Sequence, residues 1–170
     1  MTLVGSAVWQ SAIGATLTIA LAPPLKGLVV QDVNAFATIG GGICIGIMLG
    51  FSVADRRRRA YGALPLSTAA RVVAMATVEE LCWRLAVLGG LWQYSPPFAL
   101  LTSIVSFAML HVRFGNLRDM AFFSFIGSAF AGAELFGGVG AAIGCHVAYN
   151  LIVGASIAAS LRTANAAAPR

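Results

Sequence analysis

The sequence predicts an all-α protein, a polytopic transmembrane bundle of about six spanning helices, since each span needs roughly 20 apolar residues. Three observations carry this expectation. Hydrophobic residues make up 59% of the 170-residue chain and charged residues only 10%, with a mean hydropathy of +0.86. A soluble domain carries about 25% charged residues, so there is too little polar surface to solvate a globule of this length. Apolar stretches recur along the chain, punctuated by Pro, Gly and Arg. Four of the eleven basic residues form one run, Arg56-Arg57-Arg58-Arg59, between two such stretches. That placement is the usual mark of a cytoplasmic loop. It argues against a nucleic-acid surface despite the net charge of +5, because no soluble scaffold or aromatic platform accompanies it.

Taken in order, the first expected helix runs from about Leu3 to Pro23 and ends at Pro23-Pro24. It lacks a basic n-region, because Lys26 follows it, so it reads as a retained helix rather than a cleaved signal. The second runs from about Val33 to Val53, with the closely spaced glycines Gly40-Gly41-Gly42, Gly46 and Gly50 that suit tight helix packing in a membrane. Asp55 and the Arg run close it. The third runs from about Ser67 to Trp92, with Ser67 or Thr68 as the expected N-cap after Pro65. The fourth runs from Pro97 to Val112, with Pro97 suited to a first helical turn. The fifth spans about Leu117 to Phe136 and the sixth about Val139 to Leu161. The chain therefore divides into two N-terminal helices with a basic loop (1–66), a core (67–161) and a disordered tail (162–170), all in one membrane domain. Counting from the Arg run puts Arg113, Arg118 and Arg162 on the cytoplasmic side with both termini, and only Lys26 opposite. Cys44, Cys82 and Cys145 lie in apolar runs without a CxxC pair and read as small hydrophobes.

Ionisable residues inside spans are costly, which makes them functional candidates. The third helix carries Glu79, Glu80 and Arg84, the fourth ends in His111, and the sixth carries His146 and Asn150. Glu80 and Arg84 are four apart and can pair on one face. Glu79 points about 100° away, so one helix can aim one carboxylate at Arg84 and the other into a cavity. His146 and Asn150 also share a face. Glu134 falls near the outer end of the fifth helix, where water is its expected partner. Polar side chains can act as hydrogen-bonding glue between helices. Two adjacent carboxylates with both histidines of the chain exceed what glue requires. Glutamate and histidine together are the usual parts for general-base chemistry or for holding zinc.

Three motifs then stand in order: EExxxR at Glu79, Glu80 and Arg84, FxxxH at Phe107 and His111, and HxxxN at His146 and Asn150. In this combination the chain resembles the CPBP family of intramembrane proteases, which includes CAAX prenyl endopeptidases and abortive-infection and bacteriocin-immunity proteins. The resemblance covers about Ser67 to Leu161. It implies an endopeptidase that cuts a membrane-associated protein or peptide, in a bilayer expected to be a bacterial plasma membrane. It implies Glu79 as general base, His111 as the group that helps hold the water, and His146 with Asn150 as oxyanion donors. Glu80 and Arg84 would be a supporting pair and Phe107 packing. A metal-free mechanism without any cofactor is the expectation, because HExxH is absent; zinc, if used, would fall to Glu79, His111 and His146. The alternative within the same fold is a non-catalytic binding or immunity protein. A proton-coupled transporter would need paired broken helices or an inverted repeat, and neither is evident in the sequence.

Overall fold

The computed structural model describes residues 35–56, 61–111 and 116–167, and every element among them is helical. Helix α1 is Ala35–Arg56 and α2 is Leu66–Glu80. Without a break, α2 widens into a π-helical segment, π1, Leu81–Gly89, and closes with one α-turn, α3, Gly90–Trp92. Helix α4 is Pro96–His111. Helix α5 is Leu117–Ala167, broken at Gly138. The first expected helix, Arg57 to Arg59, and Arg113 lie outside the described residues.

The rod from α2 to α3 coincides with the expected third helix. Its junctions keep right-handed helical angles, φ −60° and ψ −37° at Leu81 and φ −64° and ψ −35° at Gly90. Its start differs from expectation. Pro65, at φ −56° and ψ 141°, caps α2 without any side-chain hydrogen bond. Its carbonyl accepts the N–H groups of Thr68 and Ala69 at 2.9 and 3.0 Å, so Ser67 and Thr68 sit inside the helix.

At Gly138, φ is 74° and ψ 179°, a conformation that glycine reaches at little cost and other residues do not. There the chain turns back on itself. Phe130 before the break meets both His146 and Tyr149 after it, so the two arms of α5 form an antiparallel hairpin. This is where the sequence separates a fifth from a sixth helix. The second arm continues to Ala167, beyond Leu161, and this corrects the expected end. Three of residues 162–167 are alanine, the residue with the highest helix propensity.

Helix α1 lies parallel to the second arm, with Gly42 against Ala141, Gly46 against Cys145 and Gly50 against Ile152. A Cβ on Gly46 would lie 2.8 Å from the Cys145 carbonyl carbon, and one on Gly42 2.8 Å from that of Ala141. Backbones can approach this closely only where side chains are absent. Trp83, Val87, Phe107, Ile126, Phe130, Ala142 and Cys145 then form one core cluster drawn from π1, α4 and both arms of α5.

Among the described residues, two stretches are long and apolar enough to cross a membrane, Phe36–Ala54 and Leu117–Ser160. Helix α4 is apolar but shorter, and α2, π1 and α3 fall short singly, although they join in one rod. The helical class is as expected, whereas a count of six spans is not reached by these two stretches. The difference has a physical source: the hairpin puts two expected spans into one element, and the carboxylates of α2 lower its hydropathy. Cys82 and Cys145 are buried as expected, but Cys44 is exposed on the outer face of α1.

Candidate active site

The site begins where α2 passes into π1. π-Helical turns are rare and concentrate at functional positions. Here the widened stretch starts directly after Glu79 and Glu80. It buries Cys82, Trp83, Arg84, Ala86, Val87 and Leu88.

Glu80 and Arg84 are completely enclosed. Arg84 Nε donates to Glu80 Oε2 at 3.1 Å. One Nη donates to Ser103 Oγ at 2.5 Å and the other to the Gly127 carbonyl at 3.0 Å. Ser103 Oγ in turn donates to the Trp83 carbonyl at 2.6 Å. A single guanidinium thus ties the rod to α4 and to the first arm of α5. Its carbon also lies 5.3 Å from the centre of the Phe107 ring, a favourable position for a cation.

The other oxygen of Glu80 is 2.8 Å from His146 Nδ1. A carboxylate only accepts, so the hydrogen-bond network assigns the proton to Nδ1. The Nε2 of His146 then faces Glu79 Oε2 at 3.6 Å. The imidazole is held in its plane by Glu80 and across its face by Phe130, whose ring stacks on it at 4.3 Å and 24°.

His111 approaches Glu79 from the other side, with Nε2 3.5 Å from the same Oε2. Its Nδ1 is 2.8 Å from the Phe107 carbonyl, which can only accept, so Nδ1 donates and Nε2 is turned to the carboxylate. The ring lies between Phe107 at 4.3 Å and Phe123 at 5.1 Å. His111 keeps 22% side-chain exposure against 2% for His146, so it forms the rim and His146 the floor. Separations of 3.5 and 3.6 Å are slightly beyond direct hydrogen bonds, and a water off the line between the groups can bond to both.

Five of the six candidate residues therefore form one connected cluster: Glu79, Glu80, Arg84, His111 and His146. Asn150 does not join it. Asn150 is half-buried one turn beyond His146 and makes no hydrogen bond with the other five among the described residues. Glu134 departs from expectation more sharply. It is 2% exposed, and its Oε2 is enclosed without a hydrogen-bond partner, because the hairpin folds the inner face of both α5 arms into the core. Ser103, Phe123, Phe130 and the Gly127 carbonyl escape a reading by motif. Ser103 alone had a signal, since it stands one turn before Phe107 on the face that also carries His111.

Among the described residues, no group of three or more His, Cys, Asp or Glu side chains is arranged to hold a metal ion. No step through a metal is derived from Glu79, His111 and His146.

A helical core with membrane-spanning stretches and a glutamate flanked by two histidines, braced by a buried Glu–Arg pair, defines a class of helical membrane-protein scaffold. Within it the chain belongs to the family described as type II CAAX prenyl endopeptidase Rce1-like, whose family model matches residues 61–152. That stretch covers more than half of the chain and contains all six candidate residues. No curated protein and no solved structure matches the chain. The protein is accordingly an integral membrane protein with the fold of a CAAX-type intramembrane protease.

Proposed function

We propose that the chain is an intramembrane endopeptidase that hydrolyses a peptide bond of a membrane-associated protein or peptide, without a metal. The observation that supports this best is the convergence of both His Nε2 atoms on Glu79 Oε2, at 3.5 and 3.6 Å. Water seated between Glu79 and His111 gives its proton to the carboxylate as its oxygen bonds to the scissile carbonyl carbon. The developing oxyanion is met by the Asn150 amide, which is near enough in sequence to swing onto a bound carbonyl, and by His146 when its ring is imidazolium, with Nδ1–H on Glu80 and Nε2–H on the oxyanion. The C–N bond then breaks, and the proton on Glu79 passes to the leaving amine. Acid–base assistance of this kind contributes about 10²–10⁴ in rate, and one oxyanion donor about 10²–10³.

Glu80 and Arg84 brace this centre rather than react. Glu80 fixes the ring of His146, and Arg84 fixes Glu80. The proposed setting is a bundle of about six spans, with both termini and the Arg56–Arg59 loop in the cytoplasm.

The test compares the peptide termini of cells that carry the wild-type chain with those of cells that carry Glu79→Gln at equal abundance. Termini generated by the wild type should be missing from the variant. If the same cleaved termini persist with Glu79→Gln, the protease reading fails. Metal analysis of purified, active protein completes the test: activity that tracks bound zinc would overturn the metal-free mechanism.

A further inference from the structure

The first arm of α5 carries none of the residues that the motifs single out, yet both histidines rest against it. Phe123 lies 5.1 Å from the His111 ring at 33°, and Phe130 stacks on the His146 ring at 4.3 Å and 24°. The two phenylalanines are seven residues apart. That is nearly two full turns, so they share one helical face, about 10 Å apart along the axis. Gly127 stands between them on the same face. A Cβ there would come within 3.0 Å of Phe107 Cδ1 and 3.7 Å of Arg84 Nη2, so bare backbone makes the slot that the Phe107 ring fills. The Gly127 carbonyl accepts from Arg84 in that slot.

The rings form one continuous series. Phe107 lies 4.3 Å from His111 and meets Phe130 and His146 edge-on, each at 5.8 Å. Each histidine is fixed by one hydrogen bond at Nδ1, His111 to the Phe107 carbonyl and His146 to Glu80. One bond fixes one atom and leaves the ring to swing about it. The last side-chain torsion of histidine has broad minima, so no rotamer well stops that swing. The position of each Nε2, the atom turned to Glu79, is therefore decided by what lies against the face of the ring. Phe130 is fully enclosed, whereas Phe123 is half-buried at the rim.

We propose that the first arm of α5 is the template that aims the two histidines at Glu79: Phe123 sets the ring plane of His111, Phe130 sets that of His146, and Gly127 spaces the two around Phe107. Phe123 and Phe130 are positioning residues that act through the histidines. Their effect on rate rests on the proposed proteolysis; their effect on the rings does not.

The test uses the full chain in detergent with isotope-labelled histidine. The chain has two histidines, so each ring gives its own magnetic-resonance signals, assigned by removing one histidine at a time. In Phe123→Leu the ring-proton signals of His111 should move downfield, as an aromatic face is lost, while those of His146 stay. In Phe130→Leu the reverse should hold. On a peptide whose termini the wild type generates, Phe123→Leu should lower kcat by about 10², the usual cost of a misplaced reacting group, with KM and thermal midpoint near the wild type. Phe123→Tyr keeps the ring and puts its hydroxyl at the rim, and it should restore both kcat and the His111 signals. Leu variants that shift both histidines alike would overturn the proposal, because that is general loosening of the core. So would a Phe123→Leu chain with unchanged signals, or a Phe123→Tyr chain that restores nothing. If Phe130→Leu does not fold, the two Phe123 variants decide. If the wild type cuts no peptide, the protease reading fails and the histidine signals alone decide the template.

Discussion

At Glu79 a single oxygen faces two histidines that arrive from different helices, and neither histidine is free to turn. His111 is fixed by the Phe107 carbonyl and His146 by Glu80. Groups held this way act as one unit, so their losses should not add. Glu79→Gln and His111→Asn should each lower peptide cleavage by about 10²–10⁴, and the double variant should be little worse than either; losses that multiply in single-turnover assays would show that the two act separately. Arg84 makes a different prediction. Arg84→Ala leaves Glu80 enclosed without its cation and strands Ser103 and the Gly127 carbonyl as well. Breaking a buried pair from one side costs about 3–5 kcal/mol, so this variant should show a clear fall in thermal midpoint in detergent as well as lost activity. A wild-type midpoint would show that the pair does not brace the fold.

At the scale of elements, the packing of α1 against α5 decides where His146 stands. Gly46 touches the backbone of Cys145, the residue before His146. A side chain there must push α1 outward or the second arm of α5 inward. Gly46→Leu should therefore destabilise the protein by about 1–3 kcal/mol, the usual cost of overpacking, and should reduce cleavage too. Gly40 is the control, since a Cβ there meets nothing within 4 Å. Gly40→Leu should be close to neutral in both assays, and equal damage at the two positions would refute the close approach. Gly138 works through conformation and not contact. Nothing lies within 4 Å of a Cβ there, yet its φ of 74° strains any other residue by about 1–2 kcal/mol.

For the whole molecule, the two ends of the bundle can be told apart by contacts. The segment after the Arg run folds onto the end of α5, with Gly62 N–H donating to the Ala155 carbonyl and Arg162 donating to the carbonyl of Ala63. The tip of the α5 hairpin lies at the other end, marked by Phe136 at 83% exposure. Single cysteines at Tyr61 and Arg162, in a background without the native thiols, should react with an impermeant reagent from the cytoplasmic side only. A cysteine at Phe136 should react only from the opposite side. Labelling of positions 61 and 136 from the same side would sink the proposed topology.

Much of this arrangement was legible before any coordinates. The apolar composition excludes a water-soluble core, so helices are the economical way to satisfy the backbone in a bilayer. Gly and Pro mark where those helices stop, including the break between the expected fifth and sixth helices that falls at Gly138. The cost of ionisable residues in spans and the motif spacing singled out Glu79, Glu80, Arg84, His111, His146 and Asn150, with Glu80 and Arg84, and His146 and Asn150, placed on shared helical faces by their four-residue separation. What spacing cannot supply is distance between helices. That both histidines meet one oxygen of Glu79, that Arg84 reaches Ser103 and Gly127, and that Asn150 stands apart are consequences of how three helical elements pack. The π-helical stretch, the seat of α1 on bare backbone and the burial of Glu134 belong to the same category. Local sequence sets which face a residue occupies; whether that face meets water, lipid or another side chain depends on contacts between residues far apart in the chain, and those exist only in the folded bundle.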